Sequence, residues 1–398
     1  MNRSDIAVES PDHIPRLDVL RAVAILLVFG FHYVGTWGGA IGLAGSAGAG
    51  GTSHSSINRF VYGASALGLS GVPLFFVISG FCIHFSVLRR RQAFQAKDFY
   101  WRRFLRIYPA YFAALAVFSL LGAFKILNSL NLKMFLAHLF LVHNLFNHQI
   151  LYSINAAFWS LAVECQFYLV YPLLLCVPRS WGLKACLFFA LLIVLFEQVF
   201  SSLSPAFTHF TQDQFCIGTT LGTWCTWILG ACLAEAYVRR ECFFRQRVLW
   251  IIASLALFIV GRSFPFIFEF RFLLDALFCA VLLEIYLASR QPLNLLERLL
   301  VPVGLVSYSI YLWHQPLIKP LWYFLHARLP LPATALWELF FFLPTTLLIL
   351  SPIFVASYWF CEKAVPRLIR RWAARGGAPQ SGTFFRAKMA SGKKVSVD

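Results

Sequence analysis

Charged residues are scarce in this sequence, and acidic residues are the scarcer kind. Asp, Glu, Lys and Arg make up 13% of the 398 residues, against about a quarter of an average soluble domain. Apolar residues make up 59%, and the mean hydropathy is +0.70. This composition excludes an ordinary soluble protein and indicates a polytopic membrane protein.

Two further absences narrow the class. Ten cysteines are present, but no two are spaced as Cys-x-x-Cys, so neither a zinc site nor a disulfide framework is expected. No hydrophobic run precedes Leu17, so we expect no cleaved signal peptide and a first span that is its own anchor. The net charge of +17 is distributed between hydrophobic runs. It therefore indicates membrane topology and lipid-headgroup contact, and nucleic-acid binding is not expected.

Hydrophobic runs of about 20 residues predict ten transmembrane helices. The predicted spans are 17–37, 67–88, 107–127, 158–177, 185–203, 217–237, 248–262, 272–288, 301–322 and 337–359. With the amino terminus inside, all but seven of the 34 lysines and arginines fall on the cytoplasmic side. This positive-inside bias predicts an all-α bundle of about ten helices with both termini cytoplasmic.

The first predicted span carries two ionisable residues within an apolar run. Arg21 and His32 are eleven positions apart, which places them on one face of a helix, roughly 16 Å from each other. Ionisable groups at that depth carry a high desolvation cost and commonly mark a reaction site or a transport pathway. His32 is therefore the leading catalytic candidate, and a histidine held only for packing is the alternative.

A dense cationic stretch follows the second span. Arg103 and Arg106 are three residues apart, so two guanidinium groups can bind one phosphorylated ligand. Arg21, near the cytoplasmic end of the first span, is expected to contribute to the same binding. The alternative is that these side chains extend to lipid headgroups.

The fourth span carries Glu164 about one turn inside the membrane. A carboxylate at that depth needs a partner. His32 or an arginine is the candidate partner, and a His32–Glu164 pair would form an oriented base. A structural carboxylate held by neighbouring donors is the alternative.

The ninth span places Tyr308, Tyr311 and His314 at three-residue steps, which predicts one shared helix face. His314 is a second catalytic or acceptor-binding candidate, with helix packing as the alternative. Four residues are assigned to acceptor binding or structural support: Asp18, Ser160, Tyr308 and Tyr311. The five-residue spacing of His138, His143 and His148 does not suit metal ligands on a helix, so no metal site is predicted.

Six short motifs occur in one order along the chain, and together they resemble the acyltransferase-3 family of membrane acyltransferases. That family includes O-antigen, exopolysaccharide and Nod-factor acetylases and macrolide acyltransferases. The resemblance covers residues 14–371. The motifs are Arg21 with ten residues before His32, the run Leu-Phe-Phe-Val-Ile-Ser-Gly-Phe, Arg102-Arg103-x-x-Arg106-Ile-x-Pro109, Trp159-Ser-Leu-x-x-Glu164, Ser307-Tyr-x-x-Tyr311-x-x-His314 and Tyr358-x-x-x-Glu362.

The resemblance implies an integral membrane O-acyltransferase of the bacterial cytoplasmic (inner) membrane, in contact with membrane lipids. The acyl group, commonly acetyl, would come from cytoplasmic acyl-CoA (acetyl-CoA) as co-substrate, with no permanently bound cofactor. The acceptor would be a hydroxyl of a carbohydrate or glycoconjugate, such as a surface polysaccharide. Arg21 and His32 are implied to be required, and Arg103 and Arg106 to bind the donor.

The same resemblance defines the expected domains. They are a cytoplasmic segment, 1–15, an acyltransferase-3-like transmembrane domain, 16–372, and a basic cytoplasmic tail, 373–398, whose composition predicts disorder. Some family members carry a second, extracytoplasmic hydrolase-like domain, and none is expected from this sequence.

The mechanism that unites these residues has His32 as a general base on the acceptor hydroxyl, oriented by Glu164 or His314. A covalent acyl-histidine stays open as an alternative. A polytopic transporter, or a proton-coupled exporter of a glycoconjugate, is the rival class, because intramembrane His and Glu also form proton relays.

Overall fold

The structure is a computed structural model that describes residues 13–43, 55–90, 93–123, 131–146, 148–176, 182–203, 217–264 and 268–375. Within these ranges, all regular secondary structure is helical. The α-helices are α1 (Pro15–Ala40), α2 (Ser56–Ser65), α3 (Gly71–Leu88), α4 (Ala96–Ala123), α5 (Leu132–Leu139), α6 (His148–Leu151), α7 (Phe158–Leu174), α8 (Gly182–Leu203), α9 (Ile217–Arg239), α10 (Arg247–Ser263), α11 (Phe268–Ala288), α12 (Leu295–Arg328), α13 (Ala335–Trp337), α14 (Leu343–Ser357) and α15 (Val365–Arg375). Short 3₁₀ helices occupy Ala66–Ser70 and His143–Leu145, and π-helical segments occupy Glu338–Phe342 and Tyr358–Ala364.

Five helical stretches in the described ranges are long and apolar enough to cross a membrane. They are Pro15–Ala40, Ser56–Leu88, Ala96–Gly122, Leu295–Arg328 and Ala335–Ala373. The predicted all-helical class is therefore confirmed, whereas the number of ten spans and the cytoplasmic termini stay predictions. Residues 1–12 and 376–398, which make up most of the predicted terminal segments, lie outside the described residues.

Local sequence signals explain where the two central helices begin. α1 starts at Pro15, which suits the first helical turn, and Asp18 places a negative charge near the positive end of the helix dipole. α12 starts with a reciprocal cap. The Asn294 side chain accepts from the Glu297 backbone N–H, and the Glu297 carboxylate accepts from the Asn294 N–H.

The most extensive helix contact is between α1 and α12, which correspond to the first and ninth predicted spans. Gly304 of α12 lies directly against the α1 backbone, where a Cβ would be 1.8 Å from the Asp18 carbonyl oxygen. A residue without a side chain lets two helix backbones approach this closely. The crossing brings His32 and His314 together, although they are 282 positions apart in the chain.

The core along this crossing is built from apolar side chains of both helices, including Ile25, Val28 and Phe29 of α1 and Ile310 of α12. On the outside of the helices, large apolar side chains are exposed, such as Phe196 of α8 and Leu348 of α14. An apolar exterior around a polar interior site is the arrangement that a lipid environment favours.

Candidate active site

His32 and His314 face each other across the α1–α12 crossing. His314 Nε2 lies 3.1 Å from His32 Nδ1, and the ring centroids are 5.0 Å apart. His314 is fully buried, whereas His32 is partly exposed. Of the two rings, His32 is therefore the more accessible.

Neighbouring carbonyl groups assign the protons of this pair. His314 Nδ1 lies 2.9 Å from the Tyr311 carbonyl oxygen and 3.1 Å from that of Ile310, so Nδ1 donates and Nε2 carries the lone pair in the neutral ring. His32 Nδ1 faces two acceptors, His314 Nε2 and the Val28 carbonyl oxygen at 3.0 Å, so this nitrogen also carries its proton. The remaining nitrogen, His32 Nε2, is then unprotonated, and no described residue hydrogen-bonds to it.

Glu164 belongs to a different group of residues. Its Oε1 accepts a hydrogen bond from Ser79 Oγ at 2.6 Å and another from the Tyr168 hydroxyl. The structure therefore does not form the predicted His32–Glu164 pair, because the two hydroxyl groups satisfy the carboxylate and His314 occupies His32 Nδ1. A catalytic role for Glu164 stays a prediction.

The two tyrosines of α12 and Ser160 make contacts that suit structural support. The Tyr311 hydroxyl donates to the Ala157 carbonyl oxygen at 2.5 Å and lies 2.5 Å from Ser160 Oγ. The Tyr308 hydroxyl donates to the Ile107 carbonyl oxygen at 2.9 Å. These contacts tie α12 to α7 and to α4.

The predicted common face of Tyr308, Tyr311 and His314 is wider than expected. Their side chains reach α4, α7 and α1 respectively. Each three-residue step turns an α-helix about 60° short of a full turn, so two steps spread the side chains over about a third of its circumference. Of the three, His314 is the one with a hydrogen bond to α1 among the described residues.

Arg21 is oriented by a buried carboxylate. Its Nη1 donates to Asp18 Oδ1 at 2.6 Å, and its Nη2 lies 3.1 Å from Cys82 Sγ. Asp18 is only 1% exposed and also accepts a hydrogen bond from His13. Of the two roles predicted for Asp18, this geometry favours structural support.

Arg103 approaches the same region from α4. Its guanidinium lies 5.7 Å from the Phe99 ring centroid, and its Nε is buried without a hydrogen-bond partner. Arg21 and Arg103 both lie within electrostatic range of Tyr168 and Cys82. Arg21 and Arg103 thus share two electrostatic neighbours, and Arg103 also lies within electrostatic range of Arg106.

Arg106 has a more open environment. It is exposed, and it lies within electrostatic range of Glu362, whose Oε1 accepts from Ser309 Oγ at 2.5 Å. The predicted pair of guanidinium groups is therefore unequal, with Arg103 partly buried and Arg106 exposed.

The sequence analysis did not identify Glu338. This residue is fully buried and accepts hydrogen bonds from the Tyr33 hydroxyl at 2.7 Å, Trp322 Nε1 at 3.1 Å and His326 Nε2 at 2.9 Å. Tyr33 is the neighbour of His32 in α1, so this carboxylate links α1 to α12 close to the histidine pair. The sequence did contain a signal for this residue, because an acidic side chain at the start of the last predicted span needs hydrogen-bond donors from other helices.

No metal centre is evident among the residues that the structure describes, which contain no group of three or more side chains able to hold an ion. The His138 and His143 rings stack almost in parallel, with centroids 3.9 Å apart. The side chain of His148 lies outside the described residues. The metal-free prediction stays a prediction.

The fold and the buried polar site define a multi-pass membrane protein with a histidine pair inside the bundle. The model of the acyltransferase-3 family, described as an acyltransferase domain, matches residues 14–357. The chain therefore belongs to this family, and the resemblance indicated by its motifs is confirmed.

Curated relatives agree with this family. The peptidoglycan O-acetyltransferase OatA of Listeria monocytogenes is 26% identical over 340 residues, covering 78% of this chain and 50% of that protein. O-acetyltransferase OatA of Staphylococcus aureus is 26% identical over 338 residues, covering 78% of this chain and 51% of the relative. Nodulation protein 10 of Rhizobium leguminosarum bv. viciae is 30% identical over 274 residues, covering 62% of this chain and 70% of that protein. The chain thus spans about half the length of the OatA proteins, and no solved structure matches it.

Proposed function

We propose that this protein is an integral membrane O-acyltransferase that moves an acyl group from cytoplasmic acyl-CoA to a hydroxyl of a carbohydrate or glycoconjugate, such as a surface polysaccharide. Acetyl is the expected acyl group, and the bacterial cytoplasmic membrane is the expected location. Family membership and the O-acetyltransferase relatives support the reaction class. The observation that carries the proposal is the histidine pair, in which the accessible ring offers an unprotonated Nε2.

In the proposed reaction, His32 Nε2 takes the proton of the acceptor hydroxyl as its oxygen attacks the thioester carbonyl carbon. The ester C–O bond forms and the C–S bond breaks. The proton then passes from His32 to the departing sulfur, which leaves as the free thiol of CoA, and His32 returns to its neutral state. His314 accepts the Nδ1–H throughout, which holds the ring in position and stabilises the transient imidazolium.

The donor is proposed to bind along α1. Acyl-CoA carries several phosphate groups, and guanidinium groups bind phosphate well because they are planar and always charged. Arg21 and Arg103 would hold the nucleotide end, and Arg106 would contribute from its exposed position. About 16 Å of helix separates Arg21 from His32, so the extended donor would place its thioester near the base.

The proposal is tested with purified protein in liposomes, supplied with radiolabelled acetyl-CoA and a panel of peptidoglycan fragments, N-acetylglucosamine oligomers and hexose polymers. Label in the glycan and release of free thiol are both measured. We expect His32→Ala to lower kcat by about 10²- to 10⁴-fold. Leu26→Ala, an exposed position on the same helix, is the matched control and should keep its activity.

Turnover of His32→Ala at the wild-type rate would overturn the assignment. Passage of a glycan across the liposome membrane without thiol release would support the transporter alternative instead.

A further inference from the structure

α12 contains a break in its backbone hydrogen bonding beside the histidine pair. In an α-helix, the Leu312 carbonyl oxygen would accept from the N–H of residue 316, but that residue is Pro316, which has no N–H. Leu312 lies two positions before His314. The carbonyl that has lost its helical partner therefore belongs to the same helical turn as the buried histidine.

A side chain from another part of the chain fills this position. Asn155 Nδ2 donates to the Leu312 carbonyl oxygen at 2.9 Å, and Asn155 is only 1% exposed. A buried carbonyl without a partner is strongly unfavourable. The Asn155 amide thus supplies from outside the helix the donor that Pro316 removes.

Residues 155–157 also hold the preceding residue of α12, Tyr311. Asn155 Oδ1 accepts from the Ala157 backbone N–H at 3.0 Å, and the Ala157 carbonyl oxygen accepts from the Tyr311 hydroxyl at 2.5 Å. The turn of residues 155–157 therefore binds α12 at both Tyr311 and Leu312. The Tyr311 carbonyl in turn accepts from His314 Nδ1.

We propose that Asn155 is a positioning residue for the histidine pair. Through the Leu312 carbonyl, it fixes the turn of α12 that carries His314, and thereby fixes His314 Nε2 opposite His32 Nδ1. This inference rests on the proposed function, because its effect on turnover requires His32 to be the base. The hydrogen bonds of Asn155 go to Leu312 and Ala157 and to neither histidine.

The Asn155 side-chain amide donates one hydrogen bond and accepts another, so the first variant removes the donor and keeps the acceptor. Asn155→Asp keeps the size of the side chain and the acceptor for the Ala157 N–H, but it replaces the Nδ2 donor by an oxygen and adds a buried charge. Asn155→Leu, which removes the donor without adding a charge, is therefore measured in parallel, alone and with Pro316→Ala. We expect kcat to fall by about 10- to 100-fold, since a misplacement of about 1 Å has an effect of this size. The KM for acetyl-CoA should stay within about twofold, because the arginines that bind the donor are on other helices.

Pro316 provides a specific rescue. In Pro316→Ala the residue 316 N–H is restored and can donate to the Leu312 carbonyl oxygen, so the Asn155 donor becomes dispensable. Combining Asn155→Asp with Pro316→Ala should therefore recover most of the lost kcat, although each change alone disturbs the native arrangement. A residue that acts only through general stability would show no such rescue.

Asn144→Ala is the matched control. Asn144 is also fully buried, and its amide pairs with Gln166 of α7 at 3.0 and 2.8 Å. Thermal unfolding of all variants in detergent records any loss of stability. Asn144→Ala should lose stability with little change in kcat, and Pro316→Ala should not rescue it.

Hydrogen–deuterium exchange gives a readout that does not depend on turnover. Peptides over residues 310–316 should exchange faster in Asn155→Asp and return toward wild type in the double variant. A wild-type kcat in Asn155→Asp, unchanged exchange in that variant, or a defect that Pro316→Ala leaves in place would each overturn the inference. A wild-type protein without acetyl transfer would instead contradict the proposed function, and the exchange data would still decide whether Asn155 holds the turn.

Discussion

His32 Nδ1 lies 3.1 Å from His314 Nε2 and 3.0 Å from the Val28 carbonyl oxygen, so its proton is shared between an imidazole lone pair and a backbone carbonyl. In Ser-His-Asp triads, a buried carboxylate holds the ring of the catalytic base. Here a neutral imidazole has that position. If His32 is the base, as proposed, His314 orients it without placing a permanent negative charge in the apolar bundle, where a lone charge is costly.

Replacing His314 by Phe tests this arrangement. The substitution keeps a ring of similar size but removes the acceptor for His32 Nδ1. We expect kcat to fall at least 10-fold but by less than the roughly 10²–10⁴-fold expected for His32→Ala, because the Val28 carbonyl still accepts from Nδ1. Steady-state thiol release at saturating acetyl-CoA measures the effect, and an unchanged kcat would show that His314 serves packing alone.

Gly304 offers a test of the helix crossing. Replacing a helical glycine by alanine normally stabilises a helix by about 1 kcal/mol. At Gly304 the new Cβ would lie 1.8 Å from the Asp18 carbonyl oxygen, so α1 and α12 must separate. We expect Gly304→Ala to lower both the melting temperature and kcat.

The control for this change lies in α1 itself. A Cβ at Gly35 would meet no heavy atom within 4 Å. Gly35→Ala should therefore keep its activity and unfold at the wild-type temperature or slightly above it. Equal behaviour of Gly304→Ala and Gly35→Ala would contradict the close crossing.

Asp18→Asn tests how Arg21 is oriented. Removing one partner of a buried ion pair destabilises a protein by about 3–5 kcal/mol. Because the Arg21 side chain is 22% exposed, we expect the lower end of that range. The KM for acetyl-CoA should rise more than kcat falls, because Arg21 would lose the geometry proposed for phosphate binding.

Two measurements separate these effects: thermal unfolding in detergent and initial rates over a range of acetyl-CoA concentrations. Arg239→Ala is the control, since it removes an exposed pair with Glu235 at 3.5 Å that contributes about 1 kcal/mol or less. A loss of kcat in Asp18→Asn with an unchanged KM would contradict the proposed link to the donor.

The Glu338 cluster predicts an order of stabilities. Tyr33→Phe removes one of three donors to the carboxylate and should lower the free energy of unfolding by about 1 kcal/mol. Glu338→Ala leaves three buried donors without their acceptor and creates a cavity, so its loss should be several kcal/mol. Denaturant titrations in detergent should give this order, and a larger loss in Tyr33→Phe would contradict it.

The sequence predicted the helical class and the residues of interest for reasons that are local. Apolar runs of sufficient length favour helices in a membrane, and each polar residue within such a run is noticeable because it is expensive there. Arg21, His32, Glu164 and His314 were identified by that rule, and their catalytic or binding roles stay predictions.

The partners of these residues could not be predicted in the same way. Burial of Glu164 shows that it needs donors, but Ser79 and Tyr168 supply them only because α3 packs near α7. The His32–His314 contact depends on the close approach at Gly304, which joins residues far apart in the chain. The role of Asn155 depends on a missing N–H in another helix, so it becomes visible only once both segments are located.

Arg21 and His32 are carried by one uninterrupted helix, so the span between them cannot stretch or shorten as other helices move. If the donor is held as proposed, α1 sets a constant distance between the phosphate-binding end and the base, so every acyl-CoA, whatever its acyl chain, would present its reactive carbon at the same depth. Discrimination between short and long acyl chains would then have to arise beyond His32, around the Tyr33 hydroxyl and the Glu338 carboxylate.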